Sequence, residues 1–157
     1  MRQHHQHRSS ERGFTLMELM IVIAIIGILV GAGVVGWRTA IRAGNETAAI
    51  QTLETLKKVQ ADYSLAHRGE YGTFDQLIKD GSLDDRFAGD APVMNGYIYT
   101  MKVTPRAPGQ RAFYTINANP EQPGSSGRRY FYLDPDVGTT RQNNDQQASA
   151  TDPTISQ

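Results

Sequence analysis

Between Glu18 and Arg38 the chain carries no charged residue, and nearly every position is Leu, Met, Ile, Val, Ala or Gly. These nineteen residues, at about 1.5 Å rise each, make a helix of roughly 28 Å, close to the hydrocarbon thickness of a bilayer. A helix apolar on every face has no side to turn to water, so it needs a cover of lipid or of the same segment from other copies. The stretch from Gly13 to Trp37 therefore organises the rest of the chain.

Glu18 is the one carboxylate within the apolar stretch. An unpaired charge costs about 2.5 kcal/mol or more at a membrane centre and less near its edge. A cationic partner is one solution; reaching the head groups, or protonation, is the other.

The residues around Glu18 form a pattern: Arg12-Gly13-Phe14-Thr15-Leu16-Met17-Glu18, then an unbroken apolar helix. This resembles the class III signal of type IV pilins and type II secretion major pseudopilins. In that family a membrane peptidase cuts on the cytoplasmic side between Gly and Phe, methylates the new amine, and leaves the apolar helix on the mature protein. The resemblance implies cleavage between Gly13 and Phe14, with Phe14 as the methylated N-terminus. Glycine puts no side chain in the way of an extended segment entering a protease. The new amine, with a reference pKa near 8, supplies the cation that Glu18 lacks, and one methyl leaves its charge in place. Such a pair is worth roughly 4 kcal/mol at an effective dielectric of 20, much of which desolvation can cancel, so its value lies in register. The family's proposal pairs Glu18 of one subunit with the Phe14 amine of a neighbour; an intrachain pair is the alternative, the two residues being i and i+4.

The net charge of zero divides unevenly. Residues 1–13 hold Arg2, Arg8, Arg12 and Glu11, a sum of +2, so a chain starting at Phe14 carries −2. Nothing in this balance points to nucleic acid as the main partner. His4, His5 and His7 have a metal-binding look, but they lie in a leader that is removed. An ordinary secretory signal is the competing reading, with Gly31-Ala32-Gly33 as its cleavage site and a soluble protein as its product. It leaves Glu18 and the Gly13-Phe14 junction unexplained.

Beyond Arg38 the apolar residues Ala49, Ile50, Leu53, Leu56 and Val59 recur at helical spacing, with Glu46, Gln51, Glu54, Lys57, Lys58 and Asp62 on other faces. No proline precedes Pro92, which predicts one helix from about Phe14 to Ala66. Many family members carry a proline at the position of Val35. Thr73-Phe74-Asp75-Gln76 reads as a capping box opening a short helix that stops at Gly81. The run Tyr71-Gly72-Thr73-Phe74 through Leu77 to Gly81 resembles a segment of pilin and pseudopilin head domains. His67, the one histidine after Gly13, reads as a helix C-terminal partner. Three strands are predicted, Tyr97–Thr104, 112–118 and 129–133, joined by Pro- and Gly-containing loops. Tyr97, Tyr99, Met101, Tyr114 and Ile116 form their apolar face, set against Ile50, Leu53, Leu56 and Val59.

The fold class expected is α+β: a long N-terminal helix, apolar then amphipathic, packed against a small antiparallel sheet of about three strands. The divisions expected are a leader at 1–13, a membrane and filament-core helix at 14–37, a head domain at 38–137 and a disordered polar tail at 138–157. The chain has no cysteine, no phosphate-binding glycine loop and no catalytic motif, so no enzyme class is supported. Asp84-Asp85 reads as a solvated turn. Asp134 and Asp136, in a Pro-Gly turn, are the candidates for calcium, as the resemblance to major pseudopilins implies, although calcium prefers six or more oxygens. Otherwise no cofactor is expected.

The function implied is a structural subunit of a type IV pilus or type II secretion pseudopilus. Its partners would be a prepilin peptidase, an inner-membrane assembly platform, membrane lipid and further copies of itself. It would sit in the bacterial inner membrane as a single-pass protein with a cytoplasmic N-terminus, then in a periplasmic or extracellular filament. The alternative is a membrane-anchored or secreted binding protein that never polymerises.

Overall fold

The structure, a computed structural model, describes residues 13–136 and 138–155. The chain divides into two units, one ending at Trp37 and one beginning at Arg38. Helix α1 is Leu16–Ala66, and its N-terminal end is set by Thr15. The Thr15 carbonyl accepts from Leu19 N at 3.2 Å, and its Oγ1 accepts from Glu18 N at 3.2 Å, a side-chain cap on the first turn. At the other end Arg68 and Gly69 both take positive φ, 57° and 84°, and Gly69 N donates to the Ser64 carbonyl at 2.8 Å. That left-handed step closes the helix.

In the first unit every described side chain from Phe14 to Trp37 is exposed. Its most apolar eighteen-residue window has a mean hydropathy of 2.8. Among the described residues of this unit, this is uncovered helix surface.

The second unit holds the core. Helix α2 (Phe74–Lys79) has the capping box at Thr73 and Gln76, with Asp80 as C-cap. Asp84 caps a short 3-10 turn, Asp85–Phe87, and its Oδ1 accepts from Arg86 N and Nε. Five strands follow: β1 (Val93–Met94), β2 (Tyr97–Thr104), β3 (Phe113–Pro120), β4 (Tyr130–Leu133) and β5 (Arg141–Asn143). They form one antiparallel sheet in the order β1-β2-β3-β4-β5. The fold class is the one expected, with two strands more than expected at the sheet edges. Asn95 and Gly96, both at positive φ, make the two-residue turn that pairs Met94 with Tyr97.

Side chains alternate along the strands, so Tyr97 and Tyr99 of β2, Tyr114, Ile116 and Ala118 of β3, and Phe131 and Leu133 of β4 gather in one buried cluster. From α1 the cluster receives Ala49, Leu53 and Leu56, with Ile50 and Met101 partly buried beside them. Val59 is not part of it. The inward stripe runs on by a step of four from Leu56 to Gln60, which is fully buried. Its Nε2 donates to the Gly72 carbonyl at 2.6 Å and its Oε1 accepts from Gly72 N at 3.0 Å. One amide thereby satisfies both backbone polar groups of the buried Gly72. Gln60→Leu keeps the volume and strands those two groups. It is expected to cost about 2–3 kcal/mol, read as a lower melting temperature of the full chain in detergent; an unchanged melt would show that Gly72 finds other partners.

Of the tail expected to be disordered, residues 138–155 are structured. β5 pairs with β4, and residues beyond it return to pair with β5 itself: Gln142 N donates to the Pro153 carbonyl at 2.9 Å and Ile155 N to the Thr140 carbonyl at 3.0 Å. Asp152 gathers the turn between them, accepting from Ser149 N at 2.7 Å and Asn143 Nδ2 at 2.8 Å. Ala148 is buried under Asn117, whose Nδ2 donates to the Ala148 carbonyl at 2.8 Å. Backbone pairing and one carboxylate order this segment, which has few apolar side chains to bury.

Candidate functional site

Gly13 and Phe14 precede the first helical residue, and Phe14 is 84% exposed. A Cβ added at Gly13 would meet nothing within 4 Å, so folding does not require glycine there. Glu18 stands in the first turn of α1, exposed, with its N–H bonded to Thr15 Oγ1. A carboxylate suits that position, since the helix N-terminus carries partial positive charge. Thr15 and Glu18 also stand at the positions of a capping box, and Phe14 and Leu19 at those of a hydrophobic staple. The sequence signal for that role is Thr15-x-x-Glu18. Because the helix begins at Leu16, Phe14 and Glu18 do not occupy successive turns of one helix in this structure.

In the second unit, Glu46 is expected on another face than the apolar residues, and the structure corrects this. It heads the inward stripe Glu46, Ala49, Leu53, Leu56, Gln60 and is 9% exposed. Its Oε1 accepts from Arg128 N at 2.9 Å and Arg129 N at 3.4 Å; its Oε2 accepts from Arg129 Nε at 2.7 Å. Burial raises the Glu46 pKa, but the two backbone N–H groups and the guanidinium together outweigh it and hold the carboxyl below its ordinary value. Beside this anchor the Tyr97 hydroxyl donates to the Arg129 carbonyl at 2.8 Å, and a Cβ on Gly127 would lie 2.2 Å from the Tyr97 oxygen. Only glycine lets the β3–β4 loop pass so close to the ring.

His67 sits just past the end of α1, its ring stacked on Tyr63 at 3.7 Å and its Nδ1 2.9 Å from the Tyr63 carbonyl. Its ring nitrogen thus meets one of the last carbonyls of α1. Asp134 and Asp136 are both committed. Asp136 is paired with Arg111 Nη2, and Asp134, 3% exposed, accepts from Asp136 N at 2.9 Å. Burial and the Asp134 carboxylate push the Tyr132 phenol up to about 12. Two carboxylates, one held by a guanidinium, do not make the oxygen-rich shell calcium prefers, and the described residues include no cluster of three His, Cys, Asp or Glu. His4, His5, His7 and Arg12 lie outside the described residues.

Residues 8–34 match the family described as the prokaryotic N-terminal methylation motif. The chain is 30% identical over 90 residues to a type IV major pilin protein of Neisseria gonorrhoeae, covering 56% of this chain and 54% of that one. It is 31% identical over 91 residues to a fimbrial protein of Neisseria meningitidis serogroup B, covering 56% and 53%. The chain thus spans about half the length of the curated relatives it matches. No solved structure matches it.

Proposed function

We propose that this chain is a type IV pilin and the structural subunit of a type IV pilus, a reading supported by the methylation motif at residues 8–34 and by its similarity to pilus proteins over about half their length. The observation that carries the proposal is the exposed apolar helix whose one charged residue, Glu18, stands just behind the Gly13–Phe14 junction. In this reading residues 1–13 are a cytoplasmic leader. A prepilin peptidase cuts between Gly13 and Phe14 and methylates the Phe14 amine. The single-pass subunit then waits in the inner membrane until an assembly platform adds it to a homopolymer that leaves the membrane as a filament. Its work is structural and not catalytic.

Moving an apolar helix from lipid to a bundle of like helices exchanges one apolar neighbour for another, so close packing and polar pairs decide the arrangement. Gly27 and Gly31 lie one turn apart, and an added Cβ at either would meet nothing within 4 Å in its own chain. Such positions let a second helix approach closely. The Glu18 carboxylate and the Phe14 amine of a neighbour then fix the register. The same signal serves pseudopilins of type II secretion; the relatives matched here carry pilus names, which favours the pilus.

Gly13→Leu tests processing without touching the fold, because nothing packs on Gly13. The variant is expected to keep its full-length mass in the membrane and to yield no sheared filaments, while Gly13→Ala is processed poorly. Normal processing of Gly13→Leu would sink the proposal, as would a mature chain that begins at Val34 or Gly36.

A further inference from the structure

Just beyond the charge-free run, α1 carries Arg38 and Arg42 one turn apart. Arg42 is held by three neutral oxygens: its Nε donates to the Arg38 carbonyl at 3.3 Å, its Nη2 to Thr39 Oγ1 at 3.2 Å and its Nη1 to the Gly124 carbonyl at 3.2 Å. These bonds fix the guanidinium and leave its charge uncompensated. Among the described residues no carboxylate pairs with either arginine, and Glu46, one turn further along, is committed to Arg128 and Arg129. The two arginines, Ile41 and the exposed Gly124–Ser125 turn line an open cleft of about 420 Å³.

We propose that this cleft binds the phosphate of a phospholipid head group. Two guanidinium groups offer several N–H donors to phosphate oxygens, and a fixed Arg42 loses little freedom on binding. Ser125 can add a hydroxyl donor, and Ile41, 44% exposed, gives an apolar wall. A free phosphate offers the same anion, but the sequence places the cleft at the end of the apolar span, directly after Trp37, a residue type enriched where a bilayer presents its head groups. That assignment rests on the membrane-resident subunit proposed above.

The test uses the full chain in maltoside micelles, labelled with nitrogen-15 and titrated in parallel with dihexanoyl phosphatidylglycerol and with inorganic phosphate. The lipid is expected to give saturable shifts at the Gly124 and Ser125 amides and at the Arg38 and Arg42 Nε–H signals. Arg38→Gln, which breaks none of the bonds holding the Gly124 turn, is expected to weaken lipid binding about fivefold, and Arg38→Lys to restore most of it. Absence of saturable shifts, or equal affinity in Arg38→Gln, would overturn the site. Inorganic phosphate binding as tightly as the lipid would overturn the lipid assignment. Filament yield, scored separately, distinguishes the two proposals: filaments without lipid binding overturn this site alone, and lipid binding without filaments overturns the pilus subunit alone.

Discussion

Alanine at position 18 is expected to leave the chain cleaved after Gly13 and as abundant in the membrane as before, yet nearly without filaments. Glu18 lies in the unit that ends at Trp37, while the buried core is assembled from residues beyond Arg38, so the head should fold regardless. A pair worth even ~1.4 kcal/mol net is a factor of about ten at each addition of a subunit, and the losses compound along a polymer. The structure adds a rival role, because Glu18 is also the third helical residue behind the Thr15 cap. Glutamine serves a capping box as well as glutamate does but carries no charge. Glu18→Gln should therefore fail to assemble as Glu18→Ala does if the charge matters. If only the cap matters, Glu18→Gln assembles and Glu18→Ala does not. Co-expression with the unmodified chain separates the pairings: between subunits, Glu18→Ala chains are poorly incorporated even among normal ones. Filaments of normal yield and length from both variants would show that apolar packing alone suffices.

Glu46→Ala is expected to lower the stability of the head by about 2–3 kcal/mol. Breaking a buried ion pair costs about 3–5 kcal/mol; here the Arg129 side chain is 34% exposed, so water softens the loss. The Arg128 and Arg129 N–H groups also lose their acceptor. Glu46→Gln keeps an oxygen for those N–H groups and should cost about 1 kcal/mol. The pH dependence has a definite sign. A carboxyl held below its unfolded value of 4.5 stabilises the folded chain above that pH and loses this contribution as pH falls through the folded value. The difference in melting temperature between the unmodified chain and Glu46→Gln should thus be full at neutral pH and vanish in acid. A difference independent of pH would show that shape, not charge, holds the loop.

The elements built on periodicity were legible in the sequence. Apolar residues every three or four positions gave the outer part of α1, alternation gave β2, β3 and β4, and Thr73-x-x-Gln76 gave the start of α2. What was missed depends on polar side chains facing inward. The stripe at 46, 49, 53, 56 and 60 has glutamate and glutamine at its ends, and hydropathy assigns both to solvent. Their partners are backbone groups of loops 12 and about 80 residues away in sequence, and no local pattern announces those. The 3-4 spacing itself was the available signal. β1 has only two residues, too few for alternation to show, and Asn95-Gly96 is its one strong signal. β5 reads Arg-Gln-Asn, and its order comes from pairing on both edges and from the Asp152 cluster. At the candidate site the motif marks the Gly13–Phe14 junction and Glu18, and the bond from Glu18 N to Thr15 Oγ1 adds the helix cap.

The most direct test is the mass of the N-terminal peptide from filaments sheared off cells that make this chain. The expected peptide begins at Phe14, carries one methyl group on its amine and retains Glu18 and the apolar residues that follow. A chain recovered in soluble form and beginning beyond the apolar run, with none in the sheared fraction, would contradict a subunit that polymerises through its N-terminal helix.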